Sequence, residues 1–287
     1  MKYLSLDIET TGLDTERDQI IEFGCIAVDT NQHPSTWKTL HTIIKHDRVE
    51  GSPYAIALNA RIFEFLQQME TDPEDVENDW NVITPDQLFP LLLSFLQDAG
   101  FDFKNGHFTI TVAGKNAMSF DVPFLKNHFN KFNNLKFVGI NDPRHDTEQI
   151  RFAHRGIDPS ILYADFTNDE RLPSLSECKK RANLDINVSH HALEDAWDVV
   201  MLICKHSGYD FSKVITEDYL NKYYVKDSRL SRDWSPCWVI APGLYIRKES
   251  FSDSPFRNFK IINMFGQLEL YIWSTLELDS MIQNSGA

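Results

Sequence analysis

The sequence predicts an α/β fold. A mixed sheet, an antiparallel meander followed by strand–helix alternation, is flanked by helices and carries a small β-rich C-terminal appendage. Three observations carry this expectation. Strand-like runs with short turns between them follow one another from residue 3 to residue 45. Beyond Ser52, apolar residues recur at helical spacing and then alternate with short β-rich runs. Near Ser207 the composition shifts, and three of the six tryptophans lie beyond it. A meander and then strand–helix alternation is the pattern of a mixed sheet covered by helices. The expected division is a domain over 1–206 and a β-rich extension over 207–287.

The first strand carries Asp7-Ile8-Glu9 and ends at a turn marked by Gly12 and Asp14. Residues 19–29 (QIIEFGCIAVD) and 37–45 (WKTLHTIIK) read as the second and third strands. The period changes over 52–69, where Ile56, Ala60, Phe63 and Leu66 recur at helical spacing. Residues 71–81 are acidic, contain Pro73 and read as a solvated loop. Thr84 is a cap for the next helix, with Pro85 at its first position and an apolar stripe over 89–96. Residues 107–114 (HFTITVAG) are β-rich, 116–132 are a loop and helix, and 137–140 are a short strand. Pro143 precedes a helix expected from Thr147. A short helix over 173–182 starts at a Ser174 cap, and a longer one spans 189–206. In the tail, strand-like runs at 237–248 and 259–273 are separated by a Ser/Asp/Pro loop.

A chain of 287 residues can bury one large core, or one core plus a small appended domain. Its 42% apolar and 24% charged content is that of a soluble globular protein. No run approaches the roughly 18 apolar residues of a membrane span, and the chain enters a strand at once, without a visible signal peptide. Cys25, Cys178, Cys204 and Cys237 are dispersed, with no CxxC pair. That spread argues against a zinc cluster or disulfide framework and fits a reducing cytoplasm. The formal charge of −14 is unusual for a protein that tracks long nucleic acid. Such a role needs a locally basic groove, a short substrate, or a site whose negative charge is offset by metal ions.

Asp7 and Glu9 are two apart on a strand and therefore share a face. Two anions held so close repel unless a cation sits between them, and hard oxygen ligands suit Mg²⁺ or Mn²⁺. An isolated DxE is usually a strand end fraying into a loop. Here two further acidic islands accompany it. Asp121 lies in GKNAMSFDVPFL (114–125), at the start of a helix that follows a strand, and Asp195 lies in SHHALEDA (189–196), at the opening of another helix. Each alone has an ordinary explanation, since a helix-start Asp commonly caps or meets the dipole. Their joint order and flanking residues are much harder to obtain by accident.

The joint pattern resembles the DEDDh family of 3′–5′ exonucleases, which has the ribonuclease-H-like fold and includes proofreading subunits, oligoribonuclease and ribonuclease T. DxETTGL matches residues 7–13, NAxxFDxxFL matches 116–125, and HxAxxD matches 190–195. The resemblance covers about residues 3–206 and implies removal of nucleoside 5′-monophosphates from the 3′ end of single-stranded DNA or RNA. It also implies two Mg²⁺ ions, replaceable by Mn²⁺, held by Asp7, Glu9, Asp121 and Asp195, with Asp7 bridging. Two such ions, roughly 3.5–4 Å apart, clamp the attacking and leaving oxygens of a phosphodiester. The general base implied is His190, five residues before Asp195. Helix geometry alone favours His191, because positions i and i+4 share a face whereas i and i+5 are about 140° apart.

By the same resemblance Glu9, Thr10 and Thr11 contact the terminal sugar, Leu13 wedges under the last base and Asn116 holds the scissile strand. For Leu13 ordinary core packing is an equal alternative, and for Asn116 a turn closing the strand–helix junction. Phe120 and Phe124 read as packing residues. Local basic candidates are Lys115, Lys126, Lys131, Lys179, Lys180 and Arg181. Residues 49–86 are longer and more acidic than compact members need, and 207–287 have no counterpart in the minimal fold. Either could form a lid, set substrate length or dock a protein partner. The rival readings are a proofreading subunit whose tail grips a polymerase, and a non-catalytic nucleic-acid-binding module. The presence of Asp7, Glu9, Asp121, His190 and Asp195 together argues against the second.

Overall fold

A computed structural model describes the chain except residues 33, 72–79, 135–148, 185, 187, 209–216, 227–236, 242–243, 249–258, 264–268, 273–274 and 285–287. The chain divides into two units, Met1–Asn31 with Trp37–Ser207, and Gln32–Thr36 with Gly208–Ala287. The first half of the larger unit runs β1 (Lys2–Thr10), β2 (Ile20–Asp29), β3 (Lys38–Ile44), α1 (Pro53–Leu58), α2 (Ala60–Thr71), β4 (Val82–Ile83) and α3 (Leu88–Asp98). Its second half runs β5 (Phe103–Lys104), β6 (His107–Ile110), β7 (Val112–Ala113), α4 (Asp121–Asn133), β8 (Ile150–Phe152), α5 (Pro159–Leu162), α6 (Leu175–Arg181) and α7 (Ala192–His206).

The main sheet has the order β4-β3-β2-β1-β7, antiparallel through β3-β2-β1 and parallel at both edges. Strands β5, β6 and β8 form a second, three-stranded sheet. Alternation along β1 sorts its side chains between two layers. Leu4, Leu6 and Ile8 enter the main core with apolar residues of α3 and α4, including Leu92, Leu96, Phe124 and Phe129. Ser5, Asp7 and Glu9 face the other way, where the Ser5 hydroxyl donates to the Ala196 carbonyl of α7 at 2.9 Å. Helices therefore cover both faces of a mixed sheet, the ribonuclease-H-like arrangement.

The approach of α7 to the sheet depends on one glycine. Gly24 of β2 lies opposite Asp7, and a Cβ there would stand 2.3 Å from the Leu193 amide nitrogen. Gly24→Ala is expected to push the start of α7 off the sheet, at about 1–3 kcal/mol. Denaturant unfolding reads this directly, and an unchanged midpoint and slope would show that the helix can shift without strain.

Several elements differ from expectation. The helix over 52–69 is broken at Asn59, which is buried and donates through its side chain to the Ala55 carbonyl at 3.2 Å. The break shifts the phase: Ile62 and Phe65 are buried with Ile21 and Ile43, Phe63 and Leu66 pack against them partly buried, and Ile56 and Ala60 lie outside this cluster. The helix expected from Thr147 is replaced over 150–152 by β8, parallel to β6; Ile150 and Phe152 alternate into the core, and strand pairing decides between the two periods. Residues 107–114 split between two sheets, β6 in one and β7 in the other. Strands β4 and β5 and helix α5 had no clear sequence signal, and α7 begins at Ala192 rather than 189. The strand expected at 137–140 and most of the 71–81 loop lie outside the described residues.

Both helix starts read from caps do carry local hydrogen bonds. The Thr84 amide donates to the Gln87 side chain at 2.9 Å as Pro85 opens a 3-10 turn into α3. The Ser174 hydroxyl accepts from the Glu177 amide at 3.2 Å at the start of α6.

The smaller unit contains α8 (Glu217–Tyr223), β9 (Val225–Lys226), β10 (Cys237–Ala241), β11 (Leu244–Lys248), β12 (Phe259–Asn263), β13 (Glu269–Ile272) and α9 (Thr275–Asn284). Its strands form an antiparallel sheet in the order β13-β12-β11-β10-β9. Trp238, Ile246, Phe259, Ile261, Leu220 and Leu278 form its core. Each strand-like run of the tail is thus a pair: 237–248 contains β10 and β11, and 259–273 contains β12 and β13. All four cysteines are buried and unbridged. Among the described residues no helix is long and apolar enough to cross a membrane.

Candidate active site

Strand β7 accompanies β1 only as far as Ser5. Asp121, the first residue of α4, accepts the Ile8 amide through Oδ1 at 3.1 Å. This bond ties the second acidic island to the strand between Asp7 and Glu9. Asp195 stands in the first turn of α7, which Ser5 and Gly24 hold against the same sheet face as Asp7 and Glu9. One ligand atom each from Glu9, His190 and Asp195 lies within 4.8 Å of the others. Asp195 Oδ1 is buried and has no hydrogen-bond partner among the described residues.

The electrostatics agree with this crowding. Burial raises Asp7 well above the ordinary carboxylate value, and the charges of Asp121, Asp195 and Glu9 raise it further. Burial and then Glu22 lift Glu9 to about 7, although a hydrogen bond from Asn59 and the charge of Arg61 oppose them. Burial lifts Asp121 to about 7 against the backbone amides that it accepts. Burial and then Asp198 lift Asp195 to about 6, with His190 and Lys179 pulling the other way. Four carboxyls that resist ionisation together, one with an orphaned buried oxygen, form a hard donor set suited to a divalent cation.

Each of these carboxyls binds its proton more tightly in the folded than in the unfolded protein. Their contribution to stability is present below the unfolded carboxylate range and is lost as pH rises through about 6–7. His128, which burial holds at about 4, acts in the opposite direction, so the informative quantity is the difference made by adding ion. Protons and cation compete for the same oxygens. The stabilisation by Mn²⁺ is expected to be small at pH 5 and to reach about 3 kcal/mol at pH 8 with ion at about 100 times its Kd. Thermal scans at both pH values check this, and an equal gain at both would mean that the ion binds elsewhere.

His190 and His191 are separated by backbone geometry. His191 is the non-helical N-cap of α7, with φ −116° and ψ 121°, so the same-face rule for i and i+4 does not extend to it. Its ring sits edge-on to Trp80 at 6.0 Å, and burial followed by the charge of Arg61 lowers its pKa. His190 is exposed and left-handed, with φ 55°.

Thr10 and Thr11 are buried. The Thr10 hydroxyl donates to the Gly12 carbonyl at 2.7 Å. The Thr11 hydroxyl donates to the Glu50 carbonyl at 2.6 Å and accepts from the Gln19 amide at 2.9 Å. These bonds brace the β1–β2 turn, and at its tip Leu13 is 84% exposed, so core packing is not its role. Asn116 is exposed and left-handed at φ 61°, and its amide donates to Asp158 at 3.0 Å. Of the basic candidates, Lys179 is buried against Asp198, Arg181 is bound to Asp169 and Glu177, and Lys180 also meets Glu177.

The sequence reading passed over Glu22, His41 and Arg61. Glu22 pairs in register with Glu9 and is fully buried, with His41 on one carboxylate oxygen and Arg61 on the other. The available signal was a lone acid inside the apolar run IIEFGCIA, which on a buried strand requires cationic partners.

A family model described as Exonuclease matches residues 4–84, the stretch from β1 to the end of β4. It includes Asp7, Glu9, Glu22 and Arg61, and stops before Asp121, His190 and Asp195. A search of curated proteins returns no match. The exonuclease match supports a nuclease function for this chain.

Proposed function

We propose that the chain is a metal-dependent 3′–5′ exonuclease that releases nucleoside 5′-monophosphates from the 3′ end of single-stranded DNA or RNA. The observation that carries this reading is the convergence of Asp7, Glu9, Asp121 and Asp195, all with raised pKa values, beside His190. Asp7, Glu9 and Asp195 would hold one Mg²⁺ or Mn²⁺, and Asp7 and Asp121 a second. Bound there, divalent ions supply Lewis-acid stabilisation of phosphoryl charge and a more acidic attacking water.

The chain's own residues do the rest. His190, exposed beside Glu9 and Asp195, takes a proton from the attacking water on a ring nitrogen. Leu13 offers the terminal base an apolar surface on a turn that Thr10 and Thr11 brace, and Asn116 holds the scissile strand. With a formal charge of −14, a short single-stranded substrate suits the protein better than long duplex, because few phosphates are engaged.

The test is digestion of 5′-labelled single-stranded DNA and RNA in parallel, with Mg²⁺ and with EDTA. A ladder of shortened labelled products that EDTA abolishes is expected, and the faster ladder names the sugar. A single labelled mononucleotide would mean removal from the other end, and intact substrate would end the proposal.

A further inference from the structure

Glu22 is a fully buried carboxylate near the start of β2, an arrangement that is costly unless cations meet it. His41 of β3 reaches its Oε1 at 2.7 Å, and Arg61 of α2 donates to its Oε2. Arg61 makes a second contact: its Nη2 also donates to the main-chain carbonyl of His190 at 2.8 Å. His190 is the residue with φ 55°, a conformation that a non-glycine residue keeps only where its surroundings hold it. The guanidinium itself is fixed from another side, 5.5 Å over the ring of Trp80, whose edges meet His41 and His191. Among the described residues no hydrogen-bond partner meets Arg61 Nη1, which is buried.

We infer that Arg61 is a positioning residue for the general base. It couples the buried Glu22 carboxylate to the His190 carbonyl and so sets the direction in which the imidazole leaves the backbone. This rests on the role given to His190 under Proposed function. A planar guanidinium can serve a carboxylate and a carbonyl while stacked on an indole, whereas a lysine ammonium lacks that rigid fork. The start of α7 is held separately, by Ser5 and by the close approach at Gly24. Loss of Arg61 therefore frees the peptide at 190 and leaves Asp195 in place, so turnover suffers and metal binding does not.

The test uses Arg61→Lys and the double variant Arg61→Met with Glu22→Gln, in which the buried charge leaves together with its partner and the fold is retained. Four quantities are read: kcat and KM on a single-stranded oligonucleotide, Mn²⁺ affinity by calorimetry, and the His190 ring signals in long-range ¹H–¹⁵N spectra of metal-free protein. Both variants are expected to lose about 10- to 100-fold in kcat, with KM and Mn²⁺ affinity within about twofold of wild type and the His190 signals shifted or broadened. A kcat within about threefold of wild type, or unchanged His190 signals, overturns the inference; so does a loss of Mn²⁺ affinity as large as the loss of kcat, the mark of a merely structural role. If the wild-type protein shows no metal-dependent hydrolysis, the functional reading fails by itself. The metal-free spectra still decide whether Arg61 holds His190.

Discussion

Asp7→Ala is expected to lose metal-dependent hydrolysis by about 10³-fold or more while keeping its fold. Asp7 feels Asp121, Asp195 and Glu9 at once, which puts its carboxyl at the electrostatic centre of the cluster. Its removal takes away the oxygen donor that the largest number of acidic neighbours share. The stability effect runs the other way. Because burial and like charge raise its folded pKa, the Asp7 carboxylate costs stability once pH exceeds that value, and without metal the variant should melt level with wild type or above it. The gain should grow as pH rises, because burial and like charge raise the Asp7 carboxyl. Nuclease assays with Mg²⁺ and metal-free thermal scans check both halves. Turnover near wild type would remove Asp7 from the site.

His190→Ala is expected to cost about 10²–10⁴ in rate, the range for loss of a positioned base. A base acts in its neutral form, so log(kcat/KM) of the wild-type enzyme should rise with slope near one on the acidic side and then level off, and His190→Ala should flatten that limb. Saturating Mg²⁺ is needed in the assay, because Glu9 and Asp121, at about 7, and Asp195, at about 6, otherwise titrate as well. His191→Ala should cost far less. Its ring lies against Trp80, whereas His190 shares the 4.8 Å cluster with Glu9 and Asp195. If His191→Ala loses the acidic limb and His190→Ala keeps it, the base is His191.

Much of the fold was legible because its signals are local. Period-two alternation in the first 45 residues is a property of neighbouring positions, and it marked β1, β2 and β3. Thr84 and Ser174 announced α3 and α6 because the bonds at a helix start are local: the Gln87 side chain accepts the Thr84 amide, and the Ser174 hydroxyl accepts the Glu177 amide. Where a local signal was ambiguous, partners elsewhere in the chain decided. Ile150 and Phe152 suit either a strand or a helix until β6 is beside them. The apolar spacing over 52–69 is compatible with one continuous helix, and only the burial of Asn59 beneath the β1 end breaks it.

The candidate site divides in the same way. The sequence by itself determined that Asp7 and Glu9 share a strand face, and that Asp121 and Asp195 stand where helices begin, because strand period and helix starts are written in adjacent residues. The tertiary structure alone decided what surrounds them. Ile8 and Asp121 meet across 113 positions, Glu22 and Arg61 across 39, and Arg61 and His190 across 129. It also decided that Leu13 projects outward, that Lys179 is spent on Asp198, and that His190 lies near Glu9 and Asp195. The physical reason is that burial and charge pairing depend on which strands are neighbours and how closely a helix can lie on them. At Gly24 that closeness turns on the absence of a single Cβ.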